Sequence, residues 1–239
     1  MSMPQIVILA GGLGSRIRSL YHNIPKSLVP VNGQPFVHHQ LTWLKSEGID
    51  EVVMCIGHLG EQIELFVGNG SRYGMDIKYS YDGGNLIGTG GAVKKALPLL
   101  RDEFFTIYGD TYLDIPFAKV FSRFYLSKKN GLMSVYKNEL ANHPCNVEFN
   151  GHKIVNYSKR EKPKMHHMDY GLSIFRKEVF DKIDLEVFDL TVAYEQLIAQ
   201  DQLAHFLAEH RFYEIGTPWG LADTEAYLRS KNELHRNIS

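Results

Sequence analysis

The apolar run Ile6-Val7-Ile8-Leu9 passes directly into Ala10-Gly11-Gly12-Leu13-Gly14-Ser15-Arg16, and Pro25-Lys26-Ser27 stands shortly after. A run this short and this apolar reads as a strand of a parallel sheet covered on both faces. The glycine-rich stretch behind it constrains the chain further. Glycines let the backbone turn sharply and approach a ligand, because no Cβ stands in the way. Their backbone N–H groups suit the oxygens of a phosphate. Arg16 adds a fixed planar cation and Lys26 a mobile one. The stretch therefore reads as a cradle for the phosphates of a nucleotide, with Leu9, Ala10, Gly11, Gly12, Gly14 and Ser15 against the ligand. It does not fit a dinucleotide fingerprint. Counted from Gly12, the last glycine position falls on Ile17, and the strand at Val52 to Ile56 ends without a ribose-binding acid. A P-loop is excluded too, since Lys26-Ser27 has no glycine loop directly ahead of it. A plain glycine-rich turn remains, but it gives no reason for Arg16 and Lys26.

The rest of the first half repeats the alternation. Pro35 to Glu47 has the apolar stripe of a helix in Phe36, Val37, Leu41 and Leu44, with Trp43 as packing and Gly48 as a stop. Glu51 to Gly57 is a second buried strand, Glu61 to Val67 a helix, and Ile77 to Tyr81 a strand. A second glycine-rich loop, Asp82 to Ala92, comes after that strand and opens a helix predicted to reach Leu100. Glu103 to Tyr108 is again a strand, ending in Gly109-Asp110. This pattern predicts an α/β fold, Rossmann-like and three-layered, with a mixed, mostly parallel central sheet. Ligands of such sheets bind beyond the carboxyl ends of the strands.

Asp110 stands at such an end, and a carboxylate there is a natural hard-oxygen ligand for Mg²⁺, which is held by few protein carboxylates plus phosphates and water. Glu214, in Phe212-Tyr213-Glu214-Ile215-Gly216-Thr217-Pro218, is its natural partner. The second half is richer in short alternating runs, at Gly131 to Lys137, Asn146 to Asn150, Lys153 to Lys159 and Met168 to Arg176. They predict β-hairpins laid on the other side of the sheet. Met165-His166-His167-Met168 reads as a solvated loop rather than a metal site, because adjacent strand residues point to opposite faces. Leu190 to Gln200 and Leu221 to Leu234 read as closing helices.

The 26 Lys and Arg nearly balance the 27 Asp and Glu of the 239-residue chain. No global field favours a nucleic acid or an anionic membrane, so any anion is bound by local design. The two cysteines, Cys55 and Cys145, lie far apart and outside metal-ligand spacing. They read as reduced thiols of a cytoplasmic protein. The expected organisation is one domain over residues 1–239, with the nucleotide-binding cradle in the half at 1–115 and a differently patterned second half at 116–239.

Taken together, Leu9-Ala-Gly-Gly-Leu-Gly-Ser-Arg16 and Ile24-Pro-Lys-Ser-Leu-Val-Pro-Val31 resemble the signature of the sugar-1-phosphate nucleotidylyltransferases. Leu86-Ile-Gly-Thr-Gly-Gly-Ala92, Tyr108-Gly-Asp110, Tyr157-Ser-Lys159, Asp169-Tyr-Gly171 and Phe212 to Pro218 come in the family's order, across nearly the whole chain. The short members, heptose-1-phosphate guanylyltransferases and N-acetylmuramate-1-phosphate uridylyltransferases, are the most similar. The resemblance implies an enzyme that joins an NTP to a sugar 1-phosphate with Mg²⁺. It puts Gly88, Thr89, Gly90 and the upstream Asp82 at the base, Lys159 at the acceptor phosphate, and Asn146, Asp169, Tyr170 and Gly171 at the sugar. Arg16, Lys26 and Asp110 are then the catalytic set. A carboxylate at Asp82 tilts the base towards guanine and the best reading towards GTP and heptose 1-phosphate. Two other readings are a regulatory domain that binds the nucleotide without turnover, and the same chemistry on a non-sugar phosphate.

Overall fold

The computed structural model describes residues 3–14, 16–17, 21–138, 145–159 and 165–236. Ser15 therefore lies outside the described residues. In chain order the first half holds β1 (Gln5–Leu9), a small ribbon of β2 (Pro30–Val31) and β3 (Gln34–Pro35), α1 (Phe36–Ser46), β4 (Glu51–Ile56), α2 (Gly60–Val67), β5 (Asp76–Tyr81), α3 (Gly88–Ala96) and β6 (Glu103–Tyr108). The rest comprises β7 (Thr111–Tyr112), α4 (Phe117–Ser127), β8 (Gly131–Lys137), β9 (Val147–Phe149), β10 (Ile154–Tyr157), β11 (His167–Arg176), α5 (Glu178–Asp181), α6 (Thr191–Ala199), β12 (Leu203–Ala208), β13 (Tyr213–Glu214) and α7 (Pro218–Arg236).

A mixed, mostly parallel sheet runs β10-β9-β11-β6-β1-β4-β5, with β8 on the other edge of β11 and β12 beyond it. Among the described residues of this sheet only β10 and β11 run against the other strands. Strand alternation sorts the core into two layers. Ile6 and Ile8 join Phe36, Leu41 and Leu44 of α1 and Phe117, Val120 and Phe124 of α4 on one face. Val7, Val53 and Cys55 join Val93 and Ala96 of α3 and Tyr194 and Leu197 of α6 on the other. The three-layer α/β/α arrangement is the expected one, and Trp43 packs in the core at 6% exposure. Among the described residues no helix is long and apolar enough to cross a membrane.

The second half departs from the hairpins expected on the sheet's other side. Its strands continue the same sheet. β11 pairs with β6 from Leu172 to Arg176 on one edge and with β8 on the other. Leu172, Ser173, Ile174 and Phe175 are buried, so both faces of β11 are covered and it cannot form a separate exposed layer. Among the described residues of this half only β9 and β10 make a short hairpin, joined to β11 through Val147 and His167. His167 and Met168 open β11 rather than lying in a solvated loop, with the His167 ring 5.3 Å from that of Phe149. The helix predicted to reach Leu100 ends at Ala96 and gives way to a tighter turn over Leu97–Leu99, where Pro98 cannot donate a helical hydrogen bond.

Candidate active site

A cavity of about 270 Å³ opens beyond the carboxyl ends of β1, β4 and β6, where Leu9, Cys55 and Tyr108 form part of its wall. The first glycine loop packs tightly against the residue directly after β5. A Cβ on Gly11 would collide with the Asp82 carboxylate, and one on Gly57 would stand 2.9 Å from the Gly11 carbonyl oxygen. Gly57 is thus as necessary to the cradle as Gly11. Its only signal in the sequence is a glycine directly after a buried strand, which by itself reads as no more than a strand end. Gly12 is different, since a Cβ there meets nothing within 4 Å and the space in front of it is open. Asp82 lines the cavity, and its Oδ1 is buried without a hydrogen-bond partner. Burial pushes its carboxyl up to about 6, and the nearby Lys95 ammonium offsets this only in part.

The second glycine loop uses its glycines for packing as much as for approach. Gly90 N–H and Gly91 N–H both donate to the Phe188 carbonyl, at 2.9 and 3.0 Å. Gly88 has φ +75° and would set a Cβ against the backbone of Phe188, and a Cβ on Gly90 would strike the Phe188 ring. Gly88 and Thr89 line the cavity, whereas Gly90 does not.

Of the charged candidates of the first loops and Glu214, Lys26 and Asp110 line the cavity, and Arg16 and Glu214 lie beside Lys26 without lining it. Lys26 Nζ donates to Asp110 Oδ2 at 2.6 Å, and Thr111 Oγ1 donates to Asp110 Oδ1 at 3.2 Å. Ser27 Oγ donates to the Gly109 carbonyl at 3.1 Å, fixing the two loops together. Glu214 is not at the end of a main-sheet strand. It lies in the two-residue ribbon of β13 with β7, where it pairs with Thr111, and Ile215 N–H donates to the Asp110 carbonyl at 3.0 Å. A Cβ placed on Gly216 would be 2.5 Å from Glu214 Oε2, 3.2 Å from Lys26 Nζ and 3.4 Å from Arg16 Nη2. Gly216 therefore leaves the room in which Arg16, Lys26 and Glu214 meet, and Asp110 joins them through Lys26.

Two carboxylates are what the fold offers a cation here. Among the described residues no group of three or more His, Cys, Asp or Glu is assembled for a metal. Asp110 and Glu214 suit a hard divalent ion whose other ligands are phosphate and water. Glu214 is already oriented, with Oε1 accepting from Thr217 Oγ1 at 2.8 Å and Oε2 accepting from Gly216 N–H.

The second-half candidates divide. Lys159 Nζ donates to Asp189 Oδ2 at 2.5 Å, and Asp189 lines the cavity. Asn146 holds the backbone, its Oδ1 accepting from Asp169 N–H at 2.7 Å. Asp169 Oδ1 accepts from Gly171 N–H at 2.9 Å, and Oδ2 faces the Tyr157 hydroxyl at 3.5 Å. Burial pushes the Asp169 carboxyl up to about 6. Gly171, at φ +91°, leaves space for the ring of Tyr108. Asn146, Lys159, Asp169 and Gly171 are not among the residues that line the cavity, and neither is Tyr170. Alternation along β11 turns it to the opposite face from Asp169, into the core at 1% exposure, where its hydroxyl bonds the backbone of Asp114 and Arg211.

The protein-family model described as nucleotidyl transferase matches residues 5–229. D-glycero-alpha-D-manno-heptose 1-phosphate guanylyltransferase of Aneurinibacillus thermoaerophilus is 29% identical over 238 residues, spanning 98% of this chain and 100% of that protein. N-acetylmuramate alpha-1-phosphate uridylyltransferase of Neisseria meningitidis serogroup B is 34% identical over 183 residues, spanning 74% of this chain and 78% of that protein. The crystal structure of HddC from Yersinia pseudotuberculosis shares the fold, with a TM-score of 0.81 at 20% identity over 95% of this chain and 100% of that one.

Proposed function

Because the chain belongs to the nucleotidyl transferase family and is a sugar-1-phosphate nucleotidyltransferase that makes an NDP-sugar from an NTP and a sugar 1-phosphate, we propose that its NTP is GTP and its sugar a heptose. The observation that carries the base is the buried, unpartnered Oδ1 of Asp82 in the cavity wall. Guanine presents a ring N–H and an amino group, both donors, to a carboxylate that accepts through both oxygens. Uracil presents one donor. The sugar rests on the guanylyltransferase that matches this chain along its full length.

The chemistry is governed by charge. The acceptor phosphate oxygen is anionic at neutral pH, so its attack on the α-phosphorus needs no general base. A bond forms from that oxygen to the α-phosphorus, and the bond from the α-phosphorus to the bridging oxygen breaks, releasing pyrophosphate. Repulsion between two anions is the obstacle, and positioning with electrostatic stabilisation overcomes it. Arg16 and Lys26 stabilise the charge on the α-phosphate and the departing pyrophosphate. Lys159 meets the acceptor phosphate, and Asn146, Asp169 and Gly171 shape the sugar end. Nucleotidyl transferases of this family generally use a divalent metal. Here Asp110 and Glu214 would hold Mg²⁺, which neutralises phosphate charge when bound. Residues 1–115 then serve mainly the nucleotide and 116–239 mainly the sugar phosphate, within a single domain. Near-neutral net charge and the buried free thiols of Cys55 and Cys145 support a cytoplasmic enzyme of small molecules rather than of nucleic acid or membrane.

Asp82 supplies the test. Its carboxyl is raised to about 6, so below that pH it carries a proton and cannot accept both guanine donors. The KM for GTP is expected to rise as pH falls through this range more steeply in the wild type than in Asp82→Asn. The variant should also narrow the preference for GTP over UTP by about tenfold or more, the value of hydrogen bonds to a charged acceptor. Equal preference ratios and parallel pH profiles in the two proteins would contradict the assignment of the base.

A further inference from the structure

We infer that Asp189 is a positioning residue, which holds the Lys159 ammonium at the rim of the nucleotide cavity and ties the acceptor site to the nucleotide loop. The inference rests on the reading that Lys159 meets the acceptor phosphate. Asp189 belongs to none of the glycine-rich or acidic motifs of the sequence. Its importance comes from where the fold puts it.

The segment around Asp189 is fastened to the second glycine loop on both sides. Phe188 N–H donates to the Ile87 carbonyl at 3.0 Å, and the Phe188 carbonyl accepts from Gly90 and Gly91. Leu190 N–H donates to Thr89 Oγ1 at 2.9 Å. Asp189 is thereby held still, with Oδ1 facing Thr89 Oγ1 at 3.4 Å and Oδ2 on Lys159 at 2.5 Å. One carboxylate thus touches the loop that lines the nucleotide cavity and the lysine of the opposite half.

A lysine ammonium on a four-carbon stem loses much freedom when it must stand in one place. A fixed carboxylate beside it supplies that placement before the substrate arrives. Lys159 keeps donors to spare, because an ammonium has three and Asp189 takes one. The side chains remain 59% and 45% exposed, so an incoming phosphate can reach the free donors. The Lys159 ammonium also holds the Asp189 carboxyl below the ordinary carboxylate range, as expected of a carboxylate tied to a cation.

The test is steady-state pyrophosphate release with GTP and heptose 1-phosphate, or with whichever pair the wild type turns over. The proteins are wild type, Asp189→Asn, Lys159→Ala and the double variant. Asparagine keeps the shape and can still accept from Thr89, so the loop is retained while the charge beside Lys159 is lost. Asp189→Asn should raise the KM for the sugar phosphate about threefold to fivefold, the scale of an exposed ion pair. Its kcat and its KM for the nucleotide should stay within about twofold of wild type. The double variant should match Lys159→Ala alone, since a residue that acts only through another adds nothing once that other is gone. An unchanged acceptor KM in Asp189→Asn, with a raised one in Lys159→Ala, would overturn the inference and leave the role of Lys159 standing. A lowered acceptor KM would make Asp189 a competitor of the phosphate and overturn it equally. An unchanged acceptor KM in Lys159→Ala would remove the premise, and the inference with it, and move the cation to Arg160, Lys162 or Lys164 of the same basic run.

Discussion

Arg16→Ala and Lys26→Ala are each expected to lower kcat for pyrophosphate release by about a hundred- to a thousandfold, the usual effect of removing one group that stabilises transition-state charge. The loss should appear in kcat more than in the nucleotide KM, because negative charge shifts onto the departing pyrophosphate only as the reaction proceeds. The geometry supports both residues acting at one place, since Lys26 Nζ and Arg16 Nη2 lie 3.2 and 3.4 Å from the same point beside Gly216. Lys26 also pairs with Asp110 at 2.6 Å, so its removal leaves a half-buried carboxylate without its partner. A melting curve for each variant separates that structural effect from the chemical one. Turnover within about threefold of wild type in either variant would contradict its assignment.

Gly88→Ala should give the largest loss of stability among the glycine substitutions at the site. The residue has φ +75°, where a side chain costs about 1–2 kcal/mol. A Cβ there would also press on the backbone of Phe188, with the carbonyl carbon at 2.7 Å. Overpacking of this kind costs about 1–3 kcal/mol, and backbone yields less readily than the end of a flexible side chain. The sum, about 2–5 kcal/mol, should lower the melting temperature by about 4–20 °C in a chain of this length. Gly12→Ala is the contrast. Its Cβ enters open space, so the variant should melt as the wild type does while its nucleotide KM rises. Calorimetric melting of the two variants side by side checks both statements. A Gly88 variant as stable as wild type would mean that the Phe188 segment can move aside.

That contrast explains how much the chain discloses in advance. The parallel half is readable because each strand is short and followed within two residues by a glycine, and because the cradle carries Arg16 and Lys26 close behind it. Gly11, Gly12 and Gly14 look alike in sequence, yet one is required by Asp82, one faces open space and one takes φ +61°. Only the packing of distant segments separates these roles. Tyr170 and Asp169 show the same limit, because a motif names both residues while strand alternation turns the tyrosine into the core and the aspartate to the opposite face, against Tyr157 and Gly171. The alternating runs of the second half are legible as strands, but their partners are not. β11 finds β6 across a long sequence separation, and period-2 patterning says nothing about which edge a strand joins. Asp189 and Gly57 escape a reading of the sequence because each matters through a neighbour brought from elsewhere in the chain.

The most direct test of the account is a grid of pyrophosphate release with Mg²⁺. GTP, UTP, CTP, ATP and dTTP are each crossed with heptose, mannose, glucose and N-acetylated sugar 1-phosphates. The account predicts turnover with GTP and heptose 1-phosphate well above the other pairs, and its loss in Arg16→Ala. Silence across the grid, with a nucleotide still binding by calorimetry, would contradict it and leave a domain that binds the nucleotide without transferring it.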